Sequence, residues 1–493
     1  MSTEDLLKGG QPIKIEHISG PEIKPHEILE FESMLRFQDE QLFGESGFEK
    51  SGRVVITRAP ARLDVMGGIA DYCGAHVAAL TLEHGAVVGC QVREGGQLRA
   101  LSLGVDNHAL LGLQISVDDF YDRGQLKSYN QIRQLFARNP KTAWAAYVLG
   151  GFYVLLKEGK IKRLPHGATL AIKSSIPIRA GIASSAAIEV AALAATNAVY
   201  ELEMDAKEIA RVGQIVESRV VGMPCGPMDQ ITSASGERGT ILSIHCQSDP
   251  VLGTVSLPFR TRVIGIHSKV KRPSNAAYID ARTAAFMGLT ILQRELDIET
   301  LRDNYLCNLT VQEFRRKYRS YLPARMKGQH FLNRYGATVD SATEVNPEKT
   351  YLVRSRVEHP IYEHARVGKF FRCIKEAAAD TDHVKTHLAN AGRLMYASHW
   401  SYRYRVGLGS PQVEQIVNSV RKIGIPGGFY GARITSGGRG GTVAVLCHGN
   451  ISSGLIQILA AYKLAWGLEA EVFYGTALGA CQSEHTVLQL SKA

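Results

Sequence analysis

The eight cysteines never fall into a C-x-x-C pair. Cys73, Cys90, Cys225, Cys246, Cys307, Cys373, Cys447 and Cys481 are scattered, which argues against a structural zinc site and a disulfide framework. Reduced thiols and a cytoplasmic location are the expectation. Long apolar runs are missing too. The richest stretch, residues 186–200, carries Glu189 and Asn197 and falls short of a membrane span. Met1–Lys8 is polar and acidic, without the apolar core of a signal peptide. No Lys/Arg run interleaves with aromatics, and Lys269-Val270-Lys271-Arg272 is short. The formal charge of +10 therefore favours small anionic ligands, nucleotides included, over nucleic acid. There is no internal repeat and no low-complexity tract.

What is present is the balance of a globular enzyme, 45% hydrophobic and 21% charged, over 493 residues. That length suits two or three units. Residues 1–45 read as an appendage, with a helix around His26–Gln41. The β-branched run 54–57 predicts a strand entering Arg58-Ala59-Pro60, and 86–92 and 168–172 predict others. Helical spacing predicts helices over 144–158, 185–200 and 206–221. A second unit begins near Thr261 with a buried strand at 263–266. Residues 295–365 read as an insertion of short helices and loops. Helix 411–422, a Gly-rich segment 427–441, strand 442–447, helix 451–466 and strand 470–474 close the chain. The mixture predicts an α+β or α/β fold.

Residues 177–187, Pro-Ile-Arg-Ala-Gly-Ile-Ala-Ser-Ser-Ala-Ala, place a loop of small residues between a strand and an alanine-rich helix. Such a loop aims a helix N-terminus and free N–H groups at one point, which suits a polyphosphate. A plain serine N-cap gives the same local pattern. The segment is not a Walker A loop, because no Gly-Lys-Ser/Thr follows. Gly407-Leu408-Gly409-Ser410 is also Gly/Ser-rich, but Pro411 follows it and it reads as a helix start. His383 and His387 are four apart without a third ligand and read as surface or core histidines.

Three segments together carry a resemblance. Pro177–Ala186 resembles the P-x-x-x-G-L-x-S-S-A phosphate motif of GHMP kinases. Residues 58–74, Arg-Ala-Pro-Ala-Arg-Leu-Asp-Val-Met-Gly-Gly-Ile-Ala-Asp-Tyr-Cys-Gly, resemble the galactokinase signature A-P-G-R-V-N-L-I-G-E-H-T-D-Y-N-G. Residues 431–441, Gly-Ala-Arg-Ile-Thr-Ser-Gly-Gly-Arg-Gly-Gly, are similar to the third motif, G-A-R-M-T-G-G-G-x-G-G. The motifs stand in the family's order across nearly 400 residues. The resemblance implies a two-domain α+β fold. Its N-terminal domain (46–258) is ribosomal protein S5 domain 2-like and its C-terminal domain (259–493) ferredoxin-like, with the active site between them.

It also implies roles. Gly222-Met223-Pro224-Cys225-Gly226-Pro227-Met228-Asp229-Gln230 resembles G-M-P-C-G-I-M-D-Q, which makes Asp229 the base for the sugar's anomeric hydroxyl and Arg62 its cationic partner. Gly181, Ile182, Ala183, Ser184, Ser185 and Ala186 would bind ATP, with Ser185 and Glu217 as Mg²⁺ ligands. Gly437, Gly438 and Gly440 form the third-motif loop. Gly68, Asp71, Gly226 and Tyr278 would meet the sugar. No membrane or nucleic-acid partner is implied.

Gly68-Ile69 stands where galactokinases have Glu-His, whose Glu reaches the C6 hydroxyl, while Asp71 is retained. L-Arabinose has galactose's ring configuration without C6, so the change suits arabinose. The string 64–72 closely resembles plant-type L-arabinokinases, as do residues 305–309, 326–329 and 359–363. The resemblance covers roughly residues 50–480, and residues 1–45 inherit no role from it. Ala183, Arg179, Ser436 and Arg439 depart from the family, and Arg179 and Arg439 are open between phosphate contact and plain surface. Galactokinase and a non-catalytic sugar and nucleotide sensor are the competing expectations.

Overall fold

The computed structural model describes residues 13–21, 25–37, 39–43, 47–103, 112–270, 274–296, 298, 301, 303–438 and 441–492. Two long strands form the spine of the larger sheet, β2 (Gly52–Met66) and β3 (His76–Arg93), paired antiparallel from Val55↔Cys90 to Met66↔Ala78. β2 runs on through Pro60, well past the 54–57 run from which the sequence predicted a strand. Pro60 has no N–H to give, and the register shifts between Pro60 and Arg62 and again between Asp64 and Met66. Such irregularities re-aim side chains, and here they flank the two charged residues of the strand's second half.

The rest of this nine-stranded sheet assembles around that pair. Gly167–Ser174 continues beyond β3, then Gln97–Ser102, joined to it in parallel, and Gly112–Ser116. Thr240–His245 pairs with the other end of β3 and carries Val251–Ser256. On the far side of β2 the C-terminal strand Thr486–Lys492 returns to the sheet and carries β1 (Ile13–Ser19) on its outer edge.

One face is covered by α2 (Ala146–Lys157), α3 (Ser184–Tyr200), α4 (Ala206–Ile215) and α5 (Met228–Ser235), and the Thr57 hydroxyl donates to the Ala191 carbonyl at 2.7 Å. The opposite face is sealed by α1 (His26–Arg36). Its Ile28, Phe31 and Leu35 pack on Val54, Ile56, Val87 and Leu488. Gly89 is required there, because a Cβ would stand 2.4 Å from the Phe31 ring. α1 thus closes a second apolar cluster on that face of the sheet.

The smaller sheet has four antiparallel strands in the order Phe429–Ile434, Thr442–His448, Thr261–His267, Glu471–Phe473. The Gly-rich segment 427–441 therefore supplies an edge strand, Phe429–Ile434, before its turn. Several expected helices end or begin elsewhere. The 206–221 helix is α-helical to Ile215 and then widens into a π turn, Val216–Val221. The short helices of the insertion stop before a 27-residue helix, Val353–Ala379, which contains Pro360. Its buried positions Val353, Val357, Ile361, Phe370 and Ile374 keep helical spacing through the proline. Among the described residues no helix is long and apolar enough to cross a membrane.

Candidate active site

A cleft of about 470 Å³ is lined from both sides, by Arg62, Asp71 and Asp229 from the larger sheet's part and by Tyr278, Ser436 and Gly437 from the smaller's. At its floor Arg62 and Asp229 form a two-pronged pair, Nε to Oδ1 at 2.7 Å and Nη2 to Oδ2 at 2.6 Å. Arg62 is buried, whereas Asp229 keeps 23% of its side chain exposed toward the cleft. Burial alone would lower the arginine's pKa, but the charges of Asp229, Asp64 and Asp71 raise it above the usual value. Arg62 also donates to the Gly181 carbonyl at 3.0 Å and the Ser436 hydroxyl at 3.1 Å. One guanidinium thereby touches all three motifs.

The loop 177–183 delivers the N-terminus of α3 to the same place. Ser184, Ser185 and Ala186 open the helix, so their N–H groups have no i−4 carbonyl to reach. Gly181, Ala183, Ser184 and Ser185 line the cleft. Arg179, Ala183 and Ser436 hold left-handed φ values of 61°, 58° and 53°, a costly conformation for side-chain-bearing residues. The Ala180 and Gly181 carbonyls accept from Thr442 at 2.7 Å and Thr435 at 3.4 Å, which fixes the loop to the smaller sheet.

Behind Ser185 lies a carboxylate cluster. The Ser185 hydroxyl donates to Glu217 Oε1 at 2.8 Å, and the Gln230 amide donates to Glu217 Oε2 at 2.6 Å and to Glu189 Oε2 at 2.9 Å. Burial, and then the Asp229 charge, pushes the Glu217 pKa up to about 7. Glu189 is fully buried and pushed well above the carboxylate range by burial and by Glu217. The π turn carries Glu217 into this position, a common use of that irregularity. Gln230 stood in the 222–230 motif and Glu189 in the alanine-rich helix after the phosphate motif, neither with an assigned role, and only the fold shows that one amide bridges two carboxylates.

On the other side of the cleft, Gly68 and Ile69 begin a 3₁₀ turn, Gly68–Cys73, that also presents Asp71. Burial, then the charge of Asp229, raises the Asp71 pKa to about 8. A Cβ on Gly226 would lie 2.2 Å from the Asp71 carboxyl, so the glycine is what lets the 223–229 loop close over it. Tyr278 meets Tyr72 edge to face at 6.1 Å. Gly68 is bound to Asp64, whose Oδ1 accepts its N–H at 3.1 Å. A Cβ at position 68 would sit 1.9 Å from Asp64 Oδ2. Asp64 in turn accepts from Arg433 at 2.6 Å and from the Ser436 N–H at 3.0 Å.

The cleft gathers Arg62, Gly68, Asp71, Gly181, Ala183, Ser184, Ser185, Glu217, Gly226, Asp229, Tyr278 and Gly437. Three expected residues stand back from it. Ile182 and Ala186 are buried core, and Gly438 packs against Leu408. Gly440 and Arg439 lie outside the described residues, and so do Lys271 and Arg272 of the short basic run. Arg179 lines the cleft, but Trp144, Tyr147, Ile178 and Ile188 beside it were unassigned. Trp144, Tyr147 and Ile188 fall on helical segments and read as helix core, whereas Ile178 sits exposed in the loop itself. His383 and His387 gather on Asp380 at the start of the helix Val384–Ser401.

Residues 146–237 match the GHMP kinases N terminal domain. The galactokinase of Lactococcus lactis, solved in complex with galactose, matches the fold with a TM-score of 0.68 at 20% identity, over 94% of this chain and 100% of that one. A Listeria innocua protein of solved structure matches with a TM-score of 0.52 at 10% identity, over 90% of this chain and 100% of the other. The chain thus carries a GHMP kinases N terminal domain and shares the fold of a galactokinase. It is 32% identical to the L-arabinokinase of Arabidopsis thaliana over 88% of its own length, and it spans about half, 46%, of that relative.

Proposed function

We propose that this chain is an ATP-dependent sugar 1-kinase acting on L-arabinose to give L-arabinose 1-phosphate and ADP. The observation that carries the reaction type is the Arg62–Asp229 pair, set between the α3 N-terminus and the Gly68–Tyr278 side of one cleft.

The polyphosphate of ATP lies against the first turn of α3, where free N–H groups and the helix dipole favour anions. Trp144 and Ile178 offer apolar walls beyond the loop. Asp229 accepts the proton of the C1 hydroxyl as its oxygen attacks the γ-phosphorus. Arg62, in its two-pronged bond to Asp229, orients that carboxylate and balances charge spreading onto the transferred group. Most of the catalysis is positioning, because the phosphoryl transition state needs little covalent help.

Ser185 Oγ and Glu217 Oε1, 2.8 Å apart, are the hard oxygen donors that Mg²⁺ takes beside phosphate oxygens. Bound there, Mg²⁺ would neutralise phosphate charge.

The preference for arabinose rests on Gly68. With Asp64 Oδ2 occupying the space of its Cβ, position 68 has no room for the glutamate that meets C6 in galactokinases. Ile69, 3% exposed, would leave a C6 hydroxyl unsatisfied. The test is ADP release with Mg-ATP and L-arabinose, D-galactose, D-galacturonate and D-glucuronate. A clear lead in kcat/KM for arabinose supports the reading. A lead for galactose refutes the Gly68 argument and leaves the kinase intact. Silence on every sugar with ATP still bound refutes the kinase and favours a sensor.

A further inference from the structure

A second groove, of about 620 Å³, lies between the insertion and the helices that follow it and is lined by Arg315, Arg319, Arg366, Lys369 and Arg405, together with Glu358 and Tyr362. None of these residues lines the candidate active site.

Five cations there meet two carboxylates. Arg366 pairs with Glu363, which is turned fully inward and also accepts from Ser398. Glu358 binds both of its arginines through Nε, Arg319 at 2.7 Å and Arg405 at 3.1 Å. Among the described residues, the terminal amino groups of these two forks have no protein acceptor, and Arg315 and Lys369 have no carboxylate. Arg405 is further fixed over the rings of Tyr362 and Trp400, 4.9 Å from each centroid.

A guanidinium held at Nε and against aromatic faces, with its amino edge open, is pre-oriented for two-pronged contact with a phosphate. Arg405 is held in both ways and Arg319 at Nε alone, and with Arg366 and the unpaired Arg315 and Lys369 they give the site a net charge of +3 if Glu358 and Glu363 are ionised. Its volume falls in the range of small-ligand clefts. It has no free carboxylate to serve as a base, which makes it a site for binding rather than for turnover.

We propose that this groove binds a small phosphorylated anion, a phosphomonoester or a pyrophosphate, at a second site separate from the phosphate loop. The proposal stands whether or not the sugar kinase reading does.

The test is calorimetric titration with inorganic pyrophosphate at constant ionic strength. The phosphate loop is first saturated with a non-hydrolysable Mg-ATP analogue. The parent chain is compared with Arg315→Ala/Lys369→Ala, two exposed side chains whose removal leaves the core intact. The expected result is one pyrophosphate site, weakened about tenfold or more in the double variant, with affinity for the analogue unchanged. Absence of pyrophosphate binding in the parent, or equal binding in both proteins, overturns the proposal. So does binding to acidic lipid vesicles or an RNA oligomer without any response to pyrophosphate. Sugar phosphorylation without pyrophosphate should match in the two proteins, so this result and that of the sugar panel are read independently.

Discussion

Asp64 and Arg433 form a 2.6 Å ion pair with neither side chain exposed, and it joins the larger sheet to the smaller. Asp64 also holds the N–H groups of Gly68 and Ser436, so one carboxylate sets the Gly68–Cys73 turn and the third-motif loop together. Arg433 lies over the Tyr402 ring at 5.0 Å, and the Tyr402 hydroxyl donates to the Ser436 carbonyl. Removing one member of such a pair leaves a buried charge uncompensated, at a cost of about 3–5 kcal/mol. Arg433→Met should lower urea-denaturation stability by that order, and Asp64→Asn/Arg433→Met should recover much of it. A single variant within ~1 kcal/mol of the parent would show that the junction is held by other contacts.

Asp229 bears on chemistry rather than stability. Asp229→Asn keeps the volume and one acceptor for Arg62 but cannot take a proton from a hydroxyl. Turnover should fall by roughly 10²–10⁴-fold, the usual worth of a positioned base. Sugar affinity by equilibrium titration should change by less than about threefold. Turnover within a few-fold of the parent would remove Asp229 from the base role.

Half of the candidate site was legible in the sequence as residues that would gather, because they sit in short contiguous motifs. Arg62, Ser185, Glu217 and Asp229 needed only alignment to those motifs. Asp64 and Arg433 are 369 positions apart, and no local pattern says that they touch. Gly68 shows the difference most clearly. Its sequence marks a lost side chain, while the fold adds that a neighbour's carboxylate occupies the space. The return of Thr486–Lys492 to the first sheet is a long-range pairing of the same kind. The helix Val353–Ala379 was masked instead by Pro360 and a charged outer face, both of which read locally as loop.

Glu27 explains why the segment before residue 45 folds with the core. It accepts from Arg58 at 3.1 and 3.2 Å, from the Gly85 N–H at 3.0 Å and from the Ser175 hydroxyl at 2.7 Å. Burial alone would raise its pKa, but hydrogen bonds and charge from Arg58 hold it below the ordinary value. Its stabilisation is therefore full above the unfolded pKa of about 4.3 and is lost as pH falls through the folded value. Glu27→Gln should cost about 2 kcal/mol at pH 7, the worth of charge-assisted bonds. That difference should shrink toward zero at about pH 3. Urea denaturation at the two pH values checks it, and a loss independent of pH would assign the effect to packing.

Asp71 behaves in the opposite sense. Burial and the nearby Asp229 charge put its pKa at about 8, against about 3.9 in an unfolded chain. Between those values the folded protein holds a proton that the unfolded chain releases, so stability declines as pH rises through the window. Asparagine keeps an oxygen for the Tyr72 N–H, which Asp71 binds at 2.8 Å, and carries no charge. Asp71→Asn should then match the parent near pH 4 and exceed it by ~1 kcal/mol or more at pH 8. If Asp71 meets the ring hydroxyls, the same variant should lose about tenfold or more in kcat/KM for sugar. A residue whose replacement stabilises the fold while impairing turnover is retained for function. A variant that is less stable at pH 8, or stabilised with unchanged kcat/KM, would place Asp71 outside the sugar site.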